Sequence, residues 1–337
     1  MRTGHRLVRM TSILYLGGTG TISAACVRRS VERGHDVTVV NRGNARRDLP
    51  DGVTAVSADV RDAAALQEAL GGREFDAVAD FLSFTPAHVS TGLDVFGERT
   101  GQYVFISSAS AYQKPPARVP VTERTPLENP FWKYSRDKIA CEDMLTAAAD
   151  ERGLPLTIIR PSHTYDEQLF PTLGGWTDIV RMRTGRPVVV HGDGTSLWTI
   201  THSDDFAVAF TGLIGHPGAI GEDFTITGSH APTWNQIYEW LAQAAGAEAD
   251  LVHVASETIA LVAPDLGPGL VGDKAHSMLF DNAKVQALVP EFATTITFDE
   301  GARRILAYYD AHAEAQVVDQ QLDAQFDRLV AHARSVA

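Results

Sequence analysis

The stretch Leu14-Tyr15-Leu16-Gly17-Gly18-Thr19-Gly20-Thr21-Ile22-Ser23 passes from an apolar run through a glycine-rich turn into the start of a helix. Glycine at 17 and 20 lets the backbone turn tightly and come close to a pyrophosphate. The helix start behind it offers unpaired N–H groups and a positive dipole end. The flanks give the turn its meaning. Ser12 to Leu16 reads as a buried strand, Gly20 to Arg33 as a helix ending at Gly34, and Asp36 to Val40 as a second strand. A glycine turn in that setting is a phosphate cradle, expected to use Gly17, Thr19, Gly20, Thr21 and Ile22. The pattern is G-x-x-G-x-x-S, and Ser23 is a small residue where a third, helix-packing glycine is usual.

The same alternation continues outward. Strands are expected at Val53 to Ser57, Phe75 to Asp80, Tyr103 to Ile106 and Leu156 to Ile159. Helices are expected at Asp62 to Leu70, from near Pro86, and over Trp132 to Arg152, closed by Gly153. Repeated βαβ units imply an α/β fold with a parallel sheet. After Arg160-Pro161 the elements become shorter and richer in glycine and proline. This marks a smaller C-terminal substrate lobe, discontinuous because Ser203 to Ile214 and Phe224 to Thr227 still read as sheet-packing elements. The expected division is 11–165 with about 201–228 for the dinucleotide domain, 166–200 and 229–315 for the substrate lobe, and 316–337 for a C-terminal helix. Two helical stretches are read over Asp299 to Arg334, with Val317, Val318, Leu322, Phe326, Leu329 and Val330 as the apolar positions of the last. Residues 1–10 are expected to be a disordered extension, with Met10 as an alternative start to Met1.

Composition narrows the function classes. The 337 residues are 44% hydrophobic and 21% charged, ordinary for a globular protein, and no apolar run approaches the roughly 20 residues that span a bilayer. Only two cysteines occur, Cys26 and Cys141, which fits a reducing, cytoplasmic setting. The formal net charge of −13 argues against a nucleic-acid partner. The histidines show no ligand spacing, so no metal is expected.

At the end of the second strand the chain reads Asn41-Arg42-Gly43, without the acid that accepts bonds from a ribose 2′-hydroxyl. An arginine there suits a 2′-phosphate, so NADP is favoured, with NAD open and Arg46 and Arg47 available to add to the field. Tyr134 and Lys138 stand one turn apart on one helical face. A phenol ordinarily titrates near about 10, and the neighbouring ammonium is expected to favour its phenolate. At the end of the fifth strand, Val104-Phe105-Ile106-Ser107-Ser108-Ala109-Ser110-Ala111-Tyr112 sets a serine hydroxyl at the mouth of the sheet. Such a donor steadies developing charge on a carbonyl or alkoxide. Ser108 is the catalytic choice and Ser110 the second.

Taken together, the chain resembles the extended short-chain dehydrogenase/reductases, the NAD-dependent epimerase/dehydratase family. The glycine turn, Ser108, Tyr134/Lys138, Arg160-Pro161, His191-Gly192-Asp193-Gly194 and Asp204-Asp205 fall in that family's order. The resemblance implies a Rossmann-type doubly wound sheet, a homodimer, and a Ser108–Tyr134–Lys138 site with the lysine also holding the nicotinamide ribose. By position it puts Asp59 and Val60 at the adenine, Phe81, Leu82, Ser83 and Ser107 along the dinucleotide, and Pro161 and His163 near the nicotinamide.

Two departures bear on the substrate. Where nucleotide-sugar members carry an arginine after Gly-Asp-Gly, this chain has Trp198, which can stack on a base, a sugar face or a ring but cannot grip a diphosphate. Either Arg181, Arg183 or Arg186 holds a diphosphate instead, or the substrate has none. Asp166 stands where glycine is frequent. The expected activity is reduction, oxidation or epimerisation of a secondary alcohol or ketone on a sugar-like or nucleoside-like small molecule. Dehydration is least favoured, because Ser108-Ala109-Ser110-Ala111 lacks an acid. The alternatives are a redox-sensing protein and an RNA-binding one, since Asn41-Arg42-Gly43 is also similar to chloroplast stem-loop RNA-binding relatives.

Overall fold

The computed structural model describes residues 11–43 and 47–336. Residues 1–10, with their expected extension, and Asn44 and Arg46 lie outside them. In strand β1 (Ser12–Leu16) side chains alternate. Ile13 and Tyr15 enter the core on one face of the sheet, Leu14 and Leu16 the core on the other. A strand covered on both faces is apolar throughout, which is why this run has no polar phase. Around it β2 (Asp36–Asn41), β3 (Thr54–Ser57), β4 (Ala77–Asp80), β5 (Tyr103–Ile106), β6 (Leu156–Pro161) and β10 (Glu222–Ile226) form one parallel sheet. Its order is β10-β6-β5-β4-β1-β2-β3. Two small parallel pairs lie outside it, β7 (His163–Tyr165) with β9 (Ile200–His202), and β8 (Val188–His191) with β11 (Leu251–Val254).

Helices α1 (Thr21–Glu32) and α6 (Ser203–Leu213) cover the face of Ile13 and Tyr15, supplying Cys26, Val27, Phe206 and Phe210. The opposite face takes α2 (Ala63–Leu70), α3 (Pro86–Phe96) and α4 (Lys133–Arg152). The expected α/β, doubly wound Rossmann-type fold is the one observed. Strand order reverses between β1 and β4, and the crevice beyond their carboxyl ends is where such sheets bind ligands.

Beyond that edge α5 (Trp176–Arg183), α7 (Trp234–Ala244) and α11 (Phe298–Ala311) enclose an aromatic-rich core with Trp198, Trp234, Tyr238 and Phe298. A further core joins β8 and β11 to α8 (Ser256–Val262) and α12 (Gln320–Val336). Between them α9 (Gly267–Gly269) runs into a π-helical turn at Leu270–Lys274, and α10 (Ala283–Leu288) lays Val285 on the first core. Phe326, Leu329 and Val330 bury one face of α12 as the sequence pattern predicts. Val317 precedes that helix and is exposed. No helix among the described residues is long and apolar enough to cross a membrane, and Cys26 and Cys141 are free, buried thiols.

Candidate active site

Gly17 leaves β1 at φ +84°, the left-handed region that favours glycine, and a Cβ there would lie 2.6 Å from Leu82 Cγ. Gly20 caps α1, and its N–H donates to Ser23 Oγ at 2.9 Å. The serine in the third glycine's place therefore ties down the turn, a role its size alone did not suggest. From this turn a cleft of ≈ 730 Å³ runs across the sheet edge. Gly17, Thr19, Gly20, Thr21, Ile22, Asn41, Arg42, Val60, Phe81, Leu82, Ser107, Ser108, Tyr134, Lys138 and Pro161 all line it, as expected of a dinucleotide site.

Three expected residues do not line this cleft. Asp59 is exposed and its carboxylate accepts the Arg61 N–H at 3.0 Å, while Val60 and Arg61 form the wall. Ser83 is buried and offers its carbonyl to Lys138. His163 lies in the adjoining cavity described below. The loop bearing Phe81 to Ser83 is fixed by buried Asp80, which accepts the Leu82 and Ser83 N–H groups and the Tyr103 hydroxyl.

Lys138 is almost wholly buried. Its ammonium donates to the carbonyls of Ser83 and Ile106, both at 2.7 Å, and lies over the rings of Phe84 and Phe105. Burial draws it down to about 8, with Asp80 opposing. Burial also pushes the Tyr134 phenol up from its ordinary value, and a hydrogen bond with Ser108 acts the other way. The expected acidification by Lys138 is thus not what this geometry gives. The ammonium is directed at two carbonyls, and desolvation of the phenol dominates.

The serines form a chain with a direction. Asn129 Nδ2, which can only donate, reaches Ser135 Oγ at 3.3 Å and the Ser110 carbonyl at 2.8 Å. Ser135 Oγ donates to Ser110 Oγ at 2.9 Å, and Ser110 Oγ lies 2.9 Å from Ser108 Oγ. Ser108 Oγ also accepts the Ser110 N–H at 3.2 Å. Either hydroxyl can donate in the Ser108–Ser110 bond, and when Ser110 donates, the Ser108 O–H is left for Tyr134 or a ligand oxygen. Ser110 becomes a positioning residue. Ser110→Ala is expected to lower turnover roughly five- to tenfold, about one hydrogen bond's worth, with dinucleotide affinity unchanged. Steady-state kinetics separating kcat from the dinucleotide KM checks this.

A second cavity of ≈ 330 Å³ adjoins the cleft and shares Ser108, Tyr134, Pro161 and Ser162 with it. Ala109, Ser110, Trp132, His163, Trp198, Thr199, Asp273, Lys274, Met278 and Phe280 complete its lining. Trp198 Nε1 donates to His163 Nδ1 at 3.0 Å, and burial draws His163 down to about 3, so this imidazole is neutral with its proton on Nε2. Sequence reading reached Ser110 and Trp198 but not Trp132, Lys274, Met278 or Phe280. Trp132 stands two residues before Tyr134 and could have been weighed on that ground, whereas Lys274 comes from a stretch without usable periodicity.

Other arginines are committed elsewhere. Arg181 and Arg186 clamp Asp323 and Asp327 of α12, and Arg183 binds Asp310. None of the three lines either cavity, so their expected role in gripping a diphosphate is withdrawn. Arg47 pairs with Asp166 at 2.6 Å and reaches Thr21 Oγ1 at 3.2 Å, which explains the aspartate where glycine is frequent and neutralises the charge Arg47 was expected to add. Glu167, His202 and Asp204 bring ligand-type atoms within 4.8 Å of one another, a non-local cluster invisible to spacing. Asp204 is paired with Arg28, His202 Nδ1 accepts the Asp204 N–H, and the group lines neither cavity.

A model of the NAD dependent epimerase/dehydratase family matches residues 13–227. Over 286 residues the chain is 27% identical to a 2′-dehydrokanamycin reductase of Streptomyces kanamyceticus, covering 83% of this chain and 79% of the relative. It is also 27% identical over 255 residues to a chloroplast stem-loop binding protein of 41 kDa of Arabidopsis thaliana, covering 72% and 65%. Among solved structures, UDP-glucose 4-epimerase from Bifidobacterium longum in complex with NAD+ and UDP superposes with a TM-score of 0.73 at 18% identity, covering 90% of this chain and all of that one.

Proposed function

We propose that this chain, which belongs to the NAD dependent epimerase/dehydratase family, is an NADP-preferring oxidoreductase that reduces a ketone, or oxidises the matching secondary alcohol, on a small ring-bearing molecule. One observation carries the reading. Ser108 and Tyr134 form the wall common to the long cleft and the aromatic cavity, so a group in either cavity meets the same two hydroxyls. The cleft fits a dinucleotide because the glycine turn and the start of α1 face it, with Gly17 also letting Leu82 pack against the turn. When bound, the nicotinamide supplies or accepts the hydride. Ser108 donates to the substrate oxygen, and Tyr134 gives or takes its proton. Lys138, with two N–H groups on Ser83 and Ile106, has a third for a ribose hydroxyl.

A phenol held neutral by burial suits proton donation, which supports reduction. The 27% identical 2′-dehydrokanamycin reductase points the same way. Epimerisation would use the same residues with the hydride returned. The reading extends to a substrate lobe built around the aromatic cavity, a homodimer and a reducing, cytoplasmic setting.

Exposed Arg42 and Arg61 at the far end of the cleft support NADP, with no carboxylate beside Asn41, whose Oδ1 accepts the Gly43 N–H. Arg42→Ala should weaken NADP roughly 10- to 100-fold, as for a charged hydrogen bond, and leave NAD nearly untouched. Calorimetric titration with both dinucleotides reads this, and equal losses would remove the preference. Native mass spectrometry of the purified protein tests the whole reading: a retained or titratable dinucleotide is expected, and binding of neither overturns it. The stem-loop binding relative motivates a gel shift with structured RNA at physiological salt, where retardation without dinucleotide binding would favour that alternative.

A further inference from the structure

The aromatic cavity holds an ammonium with no partner. Lys274 Nζ lies 5.8 Å from the Trp132 ring centroid and 5.9 Å from that of Trp198, and no carboxylate or other acceptor binds it among the described residues. Its sequence neighbour Asp273 favours its charge only in part, because that carboxylate is shared with Lys114 Nζ at 3.1 Å, and the Lys114 side chain is completely buried. His163 and nearby His191 stay neutral, drawn down by burial to about 3 and about 4 with Lys274 adding to the effect. Two ammoniums, Lys114 and Lys274, therefore share one carboxylate, and the positive charge in excess lies on Lys274 beside two indole faces. Indoles attract a cation but do not neutralise it, and a half-buried, unpaired ammonium is costly unless an anion completes it.

We propose that Lys274 is the specificity residue of this cavity and that the substrate carries a single carboxylate on a flat ring held against Trp132 and Trp198. This rests on reading the cavity as the substrate site. A diphosphate fits less well, since a lone lysine offers one point charge and no arginine lines the cavity to fork two oxygens. A sugar bearing several ammonium groups would meet like charge. Met278 and Phe280 close the remaining wall with apolar surface, which suits the body of a ring.

Titration calorimetry of the full chain with saturating NADP, using benzoate and its uncharged isostere benzamide as probes, tests this. Benzoate is expected to bind at least about tenfold tighter than benzamide, the difference a charged hydrogen bond makes. Lys274→Met should erase the preference and Lys274→Arg should keep most of it, with NADP affinity unchanged in both as the sign of an intact fold. No preference in the unaltered chain, including no binding of either probe, would overturn the assignment, as would a preference that survives Lys274→Met. Failure of NADP and NAD alike to bind the unaltered chain would instead remove the reading on which the assignment rests.

Discussion

Tyr134→Phe is expected to lower the turnover of the proposed ketone reduction by about 10²- to 10⁴-fold, the range general acid catalysis supplies, and to leave dinucleotide affinity essentially unchanged. The substitution removes one oxygen and keeps the ring that packs against Trp132 at 4.9 Å and Phe84 at 6.4 Å between centroids. The cleft walls and the Lys138 anchor to Ser83 and Ile106 do not depend on that oxygen. The variant therefore separates proton transfer from binding. Reduction needs the neutral phenol, and burial holds it above its ordinary value. The phenol's own titration should thus leave the rate of reduction level through neutral pH, and a fall at about 8 would belong to Lys138 losing its proton. NADPH consumption over a panel of ring ketones, followed in parallel with fluorescence titration of the dinucleotide, measures both effects. Equal turnover in the phenylalanine variant would end the assignment of Tyr134 as the proton donor.

The sheet was legible because its signals are local. The apolar phase of Ser12–Leu16 reflects burial on both faces, and Gly17 marks a turn that a side chain would block. Boundaries moved by a residue or two where a tertiary contact decides them. Phe75, read as the start of a strand, makes only an isolated bridge to Thr100 before β4 begins at Ala77. The lining of the long cleft was legible for a related reason: it comes from the strand ends, whose order the βαβ pattern fixes.

The second cavity was legible only in part, since its residues arrive from separate stretches and irregular backbone. Ser108 and Ser110 were accessible from the strand end, but the donors that reach Ser110 come from Asn129 and Ser135, which approach through folding. Electrostatics misled more than topology did. Arg47 and Lys138 were read as free positive charges, whereas Asp166 and two backbone carbonyls occupy them. A charge in a sequence has no partner until the fold supplies one. The same reasoning makes Lys274 notable, because among the described residues no acceptor binds its ammonium.

Arg160→Met tests the other end of that principle, a buried charge whose partners are all present. On β6, Arg160 meets both oxygens of Glu142, Nε to Oε1 at 2.9 Å and Nη2 to Oε2 at 2.6 Å, and its Nη1 reaches Asp223 and the Tyr112 hydroxyl. The Arg160 and Glu142 side chains are 5% and 3% exposed, so removing the guanidinium leaves a carboxylate without water or counter-ion. The expected cost is about 3–5 kcal/mol, read as a lower denaturant midpoint at an unchanged slope. Deleting Glu142 as well, in Arg160→Met/Glu142→Leu, should recover much of the loss, because a well-packed apolar pair can replace a buried ion pair at little cost. Recovery would assign the penalty to the stranded charge. A double variant no more stable than the single one would assign it to the contacts with Asp223 and Tyr112, which tie β10 and the segment after β5 to β6.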